Sequence, residues 1–189
     1  MRRKHPHILY PPGGILIWMV VVMELVTFIA ALAAFAVFQH QHPVAAAEAA
    51  RHMNAWNGLI YSVTLITGGF FMARAIQVLK AGRQPQAAGY ILVSIFFGVA
   101  FLVLKSIEYA HKMEAGHTWT SGTYFMYYWL ITGFHYLHVL MAVLILTGLY
   151  VYLRRRRSDT MLSDVMMGGI FWHLCDIIWI LIFPMFYLI

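Results

Sequence analysis

The feature that most constrains this chain is a series of five long apolar runs: Ile15 to Phe38, Trp56 to Leu79, Ala88 to Tyr109, Tyr124 to Tyr152 and Val165 to Ile189. Each is long enough to carry an α-helix across the hydrocarbon core of a bilayer, which takes about 20 apolar residues. Polar segments with strong breakers separate them: the stretch around Pro43, the Lys80 to Pro85 turn with Gly82, the Gly116 to Gly122 stretch, and Arg154 to Asp164. The pattern predicts an all-α integral membrane bundle of five transmembrane helices, a single membrane domain over residues 1–189. Composition supports this, because only 11% of the residues are charged, against roughly a quarter in soluble domains. The first run follows Arg2, Arg3 and Lys4 and carries Ala30, Ala31, Ala33 and Ala34 near its end, as a secretion signal does. It is longer than the apolar region of such a signal and reads as a retained span.

Lysine and arginine orient the spans. They gather at the N-terminus, around Arg74, Lys80 and Arg83, and in Arg154 to Arg157, whereas the opposite ends hold only Arg51, Lys105 and Lys112. The positive-inside rule then expects a cytoplasmic N-terminus and a periplasmic C-terminus, in a bacterial inner membrane. The net charge of +6 is accounted for by these helix ends, so nucleic acid is not an expected partner. The single cysteine, Cys175, excludes internal disulfides and cysteine-based metal sites.

Ionisable groups within hydrocarbon usually face a bundle interior and have partners. Here they are Glu24, Lys105, Glu108, His135, His138, His173 and Asp176. At about 1.5 Å per residue, Glu24, His173, Asp176 and His138 fall roughly 12–21 Å from the inner ends, and His135 and Glu108 at roughly 26–30 Å. This depth scale suggests a mid-membrane layer joining Asp176 to His138 or Glu24 to His173, and an outer layer joining Glu108 to His135. Within single helices, Glu108 and His111, His135 and His138, and His173 and Asp176 are each three apart, on one face. Glu-x-x-His is also a di-iron motif. Only Glu108 and His111 match it, so no metal ligand set is expected. The histidines also satisfy a plain structural reading as neutral imidazoles bonded across helices. Glu24, with no charged neighbour in its own span, is read as either protonated or paired. The remaining histidines, His40 and His42 among them, are read as loop residues without a role. No P-loop, haem-ligation scheme or nucleophile with its base is present, so catalysis by this chain alone is not expected.

Two segments, "LITGFHYLHVLMAVLIL" (Leu130 to Leu146) and "FWHLCDIIWILIFPMFYLI" (Phe171 to Ile189), resemble the last two helices of subunit III of the haem–copper oxidases. "KSIEYAHK" (Lys105 to Lys112) resembles the end of the preceding family helix. Glu24, in an apolar stretch opened by Gly13 and Gly14, falls where the family carries an intramembrane carboxylate reactive toward carbodiimide. The resemblance runs from about Pro11 to the end. The full subunit has seven helices and this sequence starts at what resembles the third, as do short five-helix forms in quinol oxidases and beside nitric oxide reductase. "FFGVAFLVLKSIEYAHKMEAG" and "YFMYYWLITGFHYLHVL" look closer to the nitric-oxide-reductase type, which would tie the chain to denitrification.

The resemblance implies a non-catalytic subunit of a respiratory chain complex. It would bind phospholipid and contact a catalytic subunit that holds the haem and metals. An aerobic cytochrome c or quinol oxidase, whose proton uptake the subunit supports, is the alternative partner. Glu108, His111, His135, His138, Trp172, His173 and Asp176 would belong to a polar interior, with no catalytic, cofactor or metal residue. A small transporter and a di-iron membrane enzyme are the other classes considered. The first calls for inverted halves or interrupted helices, and neither is visible; the second calls for more ligands.

Overall fold

The computed structural model describes residues 14–155 and 161–188. The helices are α1 (Ile15–Gln41), α2 (Pro43–Ala50), α3 (Ala55–Lys80), α4 (Gln84–Glu114), α5 (Thr123–Arg155) and α6 (Met161–Tyr187), and no strand occurs among the described residues. All but the eight-residue α2 are long and apolar enough to cross a membrane. The 33 residues of α5 extend about 50 Å at 1.5 Å per residue, so its ends stand clear of a hydrocarbon layer about 30 Å thick. Each expected span sits within its helix except the last, because α6 ends at Tyr187 and Ile189 lies outside the described residues. So do Arg2, Arg3, Lys4, Pro11, Gly13, Arg156 and Arg157. His40 sits in the last turn of α1 rather than in a loop.

The breakers act as their chemistry requires. Pro43 takes the first position of α2, where its missing N–H costs nothing. After α3, Gly82 adopts φ 76°, with Gly82 N–H donating to Leu79 O (2.9 Å) and Arg83 N–H to Val78 O (3.0 Å). That is a Schellman cap, which needs a left-handed residue. The same device ends α4: Gly116 at φ 79°, with Gly116 N–H on Met113 O (3.0 Å) and His117 N–H on Lys112 O (2.9 Å).

Four helices form a closed ring in which α3 packs on α4 and α6, and α5 packs on the same two. α1 lies outside the ring, against α5 and α6. Lipid offers no hydrophobic drive to bring helices together, so close backbone approach and filled notches must hold them. Trp172 on α6 fills such a notch. A Cβ on Gly68 of α3 would stand 2.7 Å from its ring, and one on Gly98 of α4 would stand 2.8 Å from it. Phe35 anchors α1 by stacking on Phe186 at 4.3 Å.

Candidate functional site: paired polar groups inside the bundle

One end of the ring holds a closed circuit of polar groups. Lys105 on α4 is fully buried, and its ammonium has three N–H donors and no acceptor. All three are used: on Glu108 Oε2 at 2.8 Å, Tyr128 Oη at 2.9 Å and Tyr187 Oη at 2.6 Å. The two phenols pass the bond on. Tyr128 donates to Glu108 Oε1 at 3.0 Å, and Tyr187 to both carboxylate oxygens at 2.9 Å. Lys112, one turn beyond Glu108, stands 3.9 Å from Oε1 and donates to the His52 carbonyl at 3.2 Å. The rings of Tyr61, Tyr109 and Trp179 enclose the Lys105 ammonium at 4.9–5.6 Å, where an aromatic face attracts a cation. The circuit joins α4, α5 and α6, and every member but Lys112 both supports and is supported by another.

Deeper in the bundle, His138 of α5 meets Glu24 of α1, Nε2 to Oε2, at 3.1 Å. His138 Nδ1 lies 2.8 Å from the Phe134 carbonyl. A carbonyl only accepts, so Nδ1 carries hydrogen. Nε2 and a carboxylate oxygen are otherwise both acceptors, so one proton lies between them, on either Glu24 or His138. The pair is neutral in both arrangements and suits a low-dielectric site. A third pair forms within α6, where His173 Nδ1 meets Asp176 Oδ2 at 3.1 Å. Gly69 of α3 allows this contact, because any Cβ there would collide with Asp176 Oδ2.

These pairings differ from those expected from depth. Glu108 does not reach His135, Asp176 does not reach His138, and Glu24 takes His138 rather than His173. Depth along a helix is set by residue count, whereas partner choice is set by the order of helices around the ring and by their rotation. Neither is encoded in a rise per residue. His135 is fully buried among the rings of Phe28, Phe101 and Trp179, and neither ring nitrogen has a hydrogen-bond partner. His111 is exposed, and the residue that turns toward Glu108 is Lys112 instead. Trp172 is buried, and His173 is 42% exposed through its side chain. Sequence reasoning missed Tyr128 and Tyr187. The signal was available in Lys105, because a lysine inside hydrocarbon needs three acceptors and Glu108 supplies two oxygens that have other donors to satisfy. Among the described residues no three His, Cys, Asp or Glu side chains are grouped to hold a metal ion.

Apolar helices that pair Lys105 with Glu108, His138 with Glu24 and His173 with Asp176 are the build of a multi-pass membrane protein. The chain belongs to the cytochrome c oxidase subunit III family, whose model matches residues 13–189; members of this family are non-catalytic subunits of haem–copper oxidases. The chain is 34% identical over 134 residues to a heme-copper oxidase subunit I+III of Aeropyrum pernix, covering 70% of this chain and 16% of that longer polypeptide. It is 27% identical over 143 residues to the cytochrome c oxidase subunit 3 of Corynebacterium diphtheriae, covering 75% and 70%. A probable quinol oxidase subunit 3 of Staphylococcus aureus is 22% identical over 173 residues, covering 91% and 86%.

Proposed function

We propose that this chain is the accessory third subunit of a respiratory complex of the haem–copper superfamily in a bacterial inner membrane, with its N-terminus cytoplasmic and its C-terminus periplasmic. The observation that carries the reading is the family match along nearly the whole chain. It is joined by an interior whose acids are each bonded to a base within the bundle. Among the described residues no three His, Cys, Asp or Glu side chains group to hold a metal ion, and we read the chain as acting by binding. Its partner is the catalytic subunit that holds the haem and metals, and phospholipid fills the surfaces between them. The subunit supports assembly and durability of that partner.

The partner we assign is a nitric oxide reductase, on the strength of the Phe96 to Gly116 and Tyr124 to Leu140 segments. The oxidase names of its relatives favour an aerobic cytochrome c or quinol oxidase as the second reading. Affinity purification of the tagged chain from its native membranes tests both. A haem-containing complex that reduces nitric oxide supports the first, one that consumes oxygen supports the second, and a haem-free preparation overturns the assignment to a respiratory complex.

A further inference from the structure

Two connections meet at one end of the bundle: the α2–α3 segment, which carries His52, and the α4–α5 segment, which carries His117. Their imidazole rings lie side by side, with centroids 4.2 Å apart. Each histidine is held from behind. The Schellman cap of α4 bonds the His117 N–H to Lys112 O, its carbonyl accepts from Trp129 Nε1 at 2.9 Å, and its ring stacks flat on Phe125 at 4.6 Å. His52 donates its N–H to Ala49 O at 3.1 Å, and its carbonyl accepts from the Lys112 ammonium at 3.2 Å. Lys112 therefore touches both connections, and the two rings close the gap between them.

The surroundings are poor in negative charge. The rings border an open cavity of about 810 Å³ that is also lined by His42, Glu48 and Arg51. From α4 the pair faces Lys112. From α2 it faces one acid, Glu48, and from the residue that caps α2 it faces Arg51; from the α1–α2 junction it faces His42. From α5 it faces the first helical turn, Thr123 to Phe125, the positive end of a helix dipole. Glu48 is the one acid set against Arg51, and Glu108 serves Lys105 and Lys112, so an imidazolium at His117 beside a helix N-terminus has no counter-charge of its own.

We propose that the His52–His117 contact is a proton-sensitive latch between the α2–α3 and α4–α5 connections, closed while the His117 ring is neutral and released when it takes a proton. Consistent with this, His117 is held below the ordinary histidine value of about 6.5, first by desolvation and then by His52 and Lys112. The sign follows from linkage. The open arrangement, in which His117 titrates normally, binds more protons than the closed one between the depressed value and about 6.5. The latch is thus fully closed above about pH 6.5, weakens as pH falls through that value, and loses no more once pH is below the depressed value. Release frees the cavity mouth and the segment carrying His52, while Lys112 keeps its contact with Glu108.

The test uses the full chain in lipid nanodiscs. Ala47→Cys places a spin label on exposed α2, just before the α2–α3 connection, and Thr120→Cys places one on the α4–α5 connection; double electron–electron resonance reads their separation at pH 7.5 and pH 5. Side-chain NMR of labelled histidine reads the His117 midpoint. The expected result is a midpoint below the ordinary value that rises in His52→Gln, together with a label separation that lengthens or broadens at pH 5. His117→Phe keeps a ring on Phe125 without a titratable nitrogen and should abolish the change in separation. A normal His117 midpoint, a separation independent of pH, or a pH response retained in His117→Phe each overturns the latch.

Discussion

Glu108→Leu removes the only carboxylate from a circuit that contains two ammonium groups. Lys105 then keeps two phenol oxygens but no counter-charge, at a position with no solvent exposure. Breaking a buried ion pair from one side costs about 3–5 kcal/mol, or roughly two to three and a half orders of magnitude in the unfolding equilibrium at about 1.4 kcal/mol per tenfold. Lys105→Met is expected to be milder, about 2 kcal/mol, the scale of one hydrogen bond to a charged group. Glu108 retains both tyrosine donors and Lys112 at 3.9 Å in that variant. The double variant leaves Lys112 with its bond to the His52 carbonyl and replaces the pair by apolar groups, so it should recover most of the loss. Reversible unfolding in mixed micelles, followed by circular dichroism, gives the three differences and their coupling. Additive losses in the double variant, or a Glu108→Leu cost below that of Lys105→Met, would refute the circuit as the element that joins α4, α5 and α6.

Gly69→Ala should destabilise by about 1–3 kcal/mol through overpacking against Asp176, and Asp176→Ala introduced into that variant should restore most of it in the same unfolding assay. A hydrophobic carbodiimide should label Glu24, which shares one proton with His138, and spare Glu108, which has a lysine and two phenols on its oxygens. Peptide mass spectrometry reads the outcome, and modification at Glu108 would contradict it. Alkaline phosphatase fused after Thr118 should be active and after Lys80 inactive; the reverse pattern would invert the proposed topology.

The fold was legible because five apolar runs leave a membrane chain no alternative to helices, and because Pro43, Gly82 and Gly116 are breakers with one structural use each. The interior was legible only in part. Glu24, His138, His173 and Asp176 all read from the sequence as polar groups within the spans, yet their pairing depends on helix rotation, on which an apolar sequence is silent, and the His173 side chain proves well exposed. Tyr128 and Tyr187 each have aromatic neighbours in the sequence, Tyr127 and Trp129 beside the first and Phe186 beside the second. Only the hydrogen-bond demand of Lys105 distinguishes them from Tyr127 or Phe186. His52 and His117 are far apart in sequence, and nothing in either connection announces that the Schellman cap of α4 delivers one ring onto the other.

Apolar side chains cover α1 on nearly every side: Leu16, Met19, Val22, Met23, Val26 and Ile29 are exposed, while Val21, Phe28, Leu32 and Phe35 are buried. Solvation by lipid sets no rotation for a cylinder this uniform, since one greasy flank is as soluble as the next, and its apolar residues add packing at Phe28 and Phe35. Glu24 is the index mark on that cylinder. Its bond to His138 selects one angle, and moving the carboxylate a single position along the chain would swing it by about 100°, out of reach of the imidazole. Most of α1 can therefore exchange one aliphatic residue for another without losing its place, whereas the position of one acid decides which flank the rest of the bundle sees.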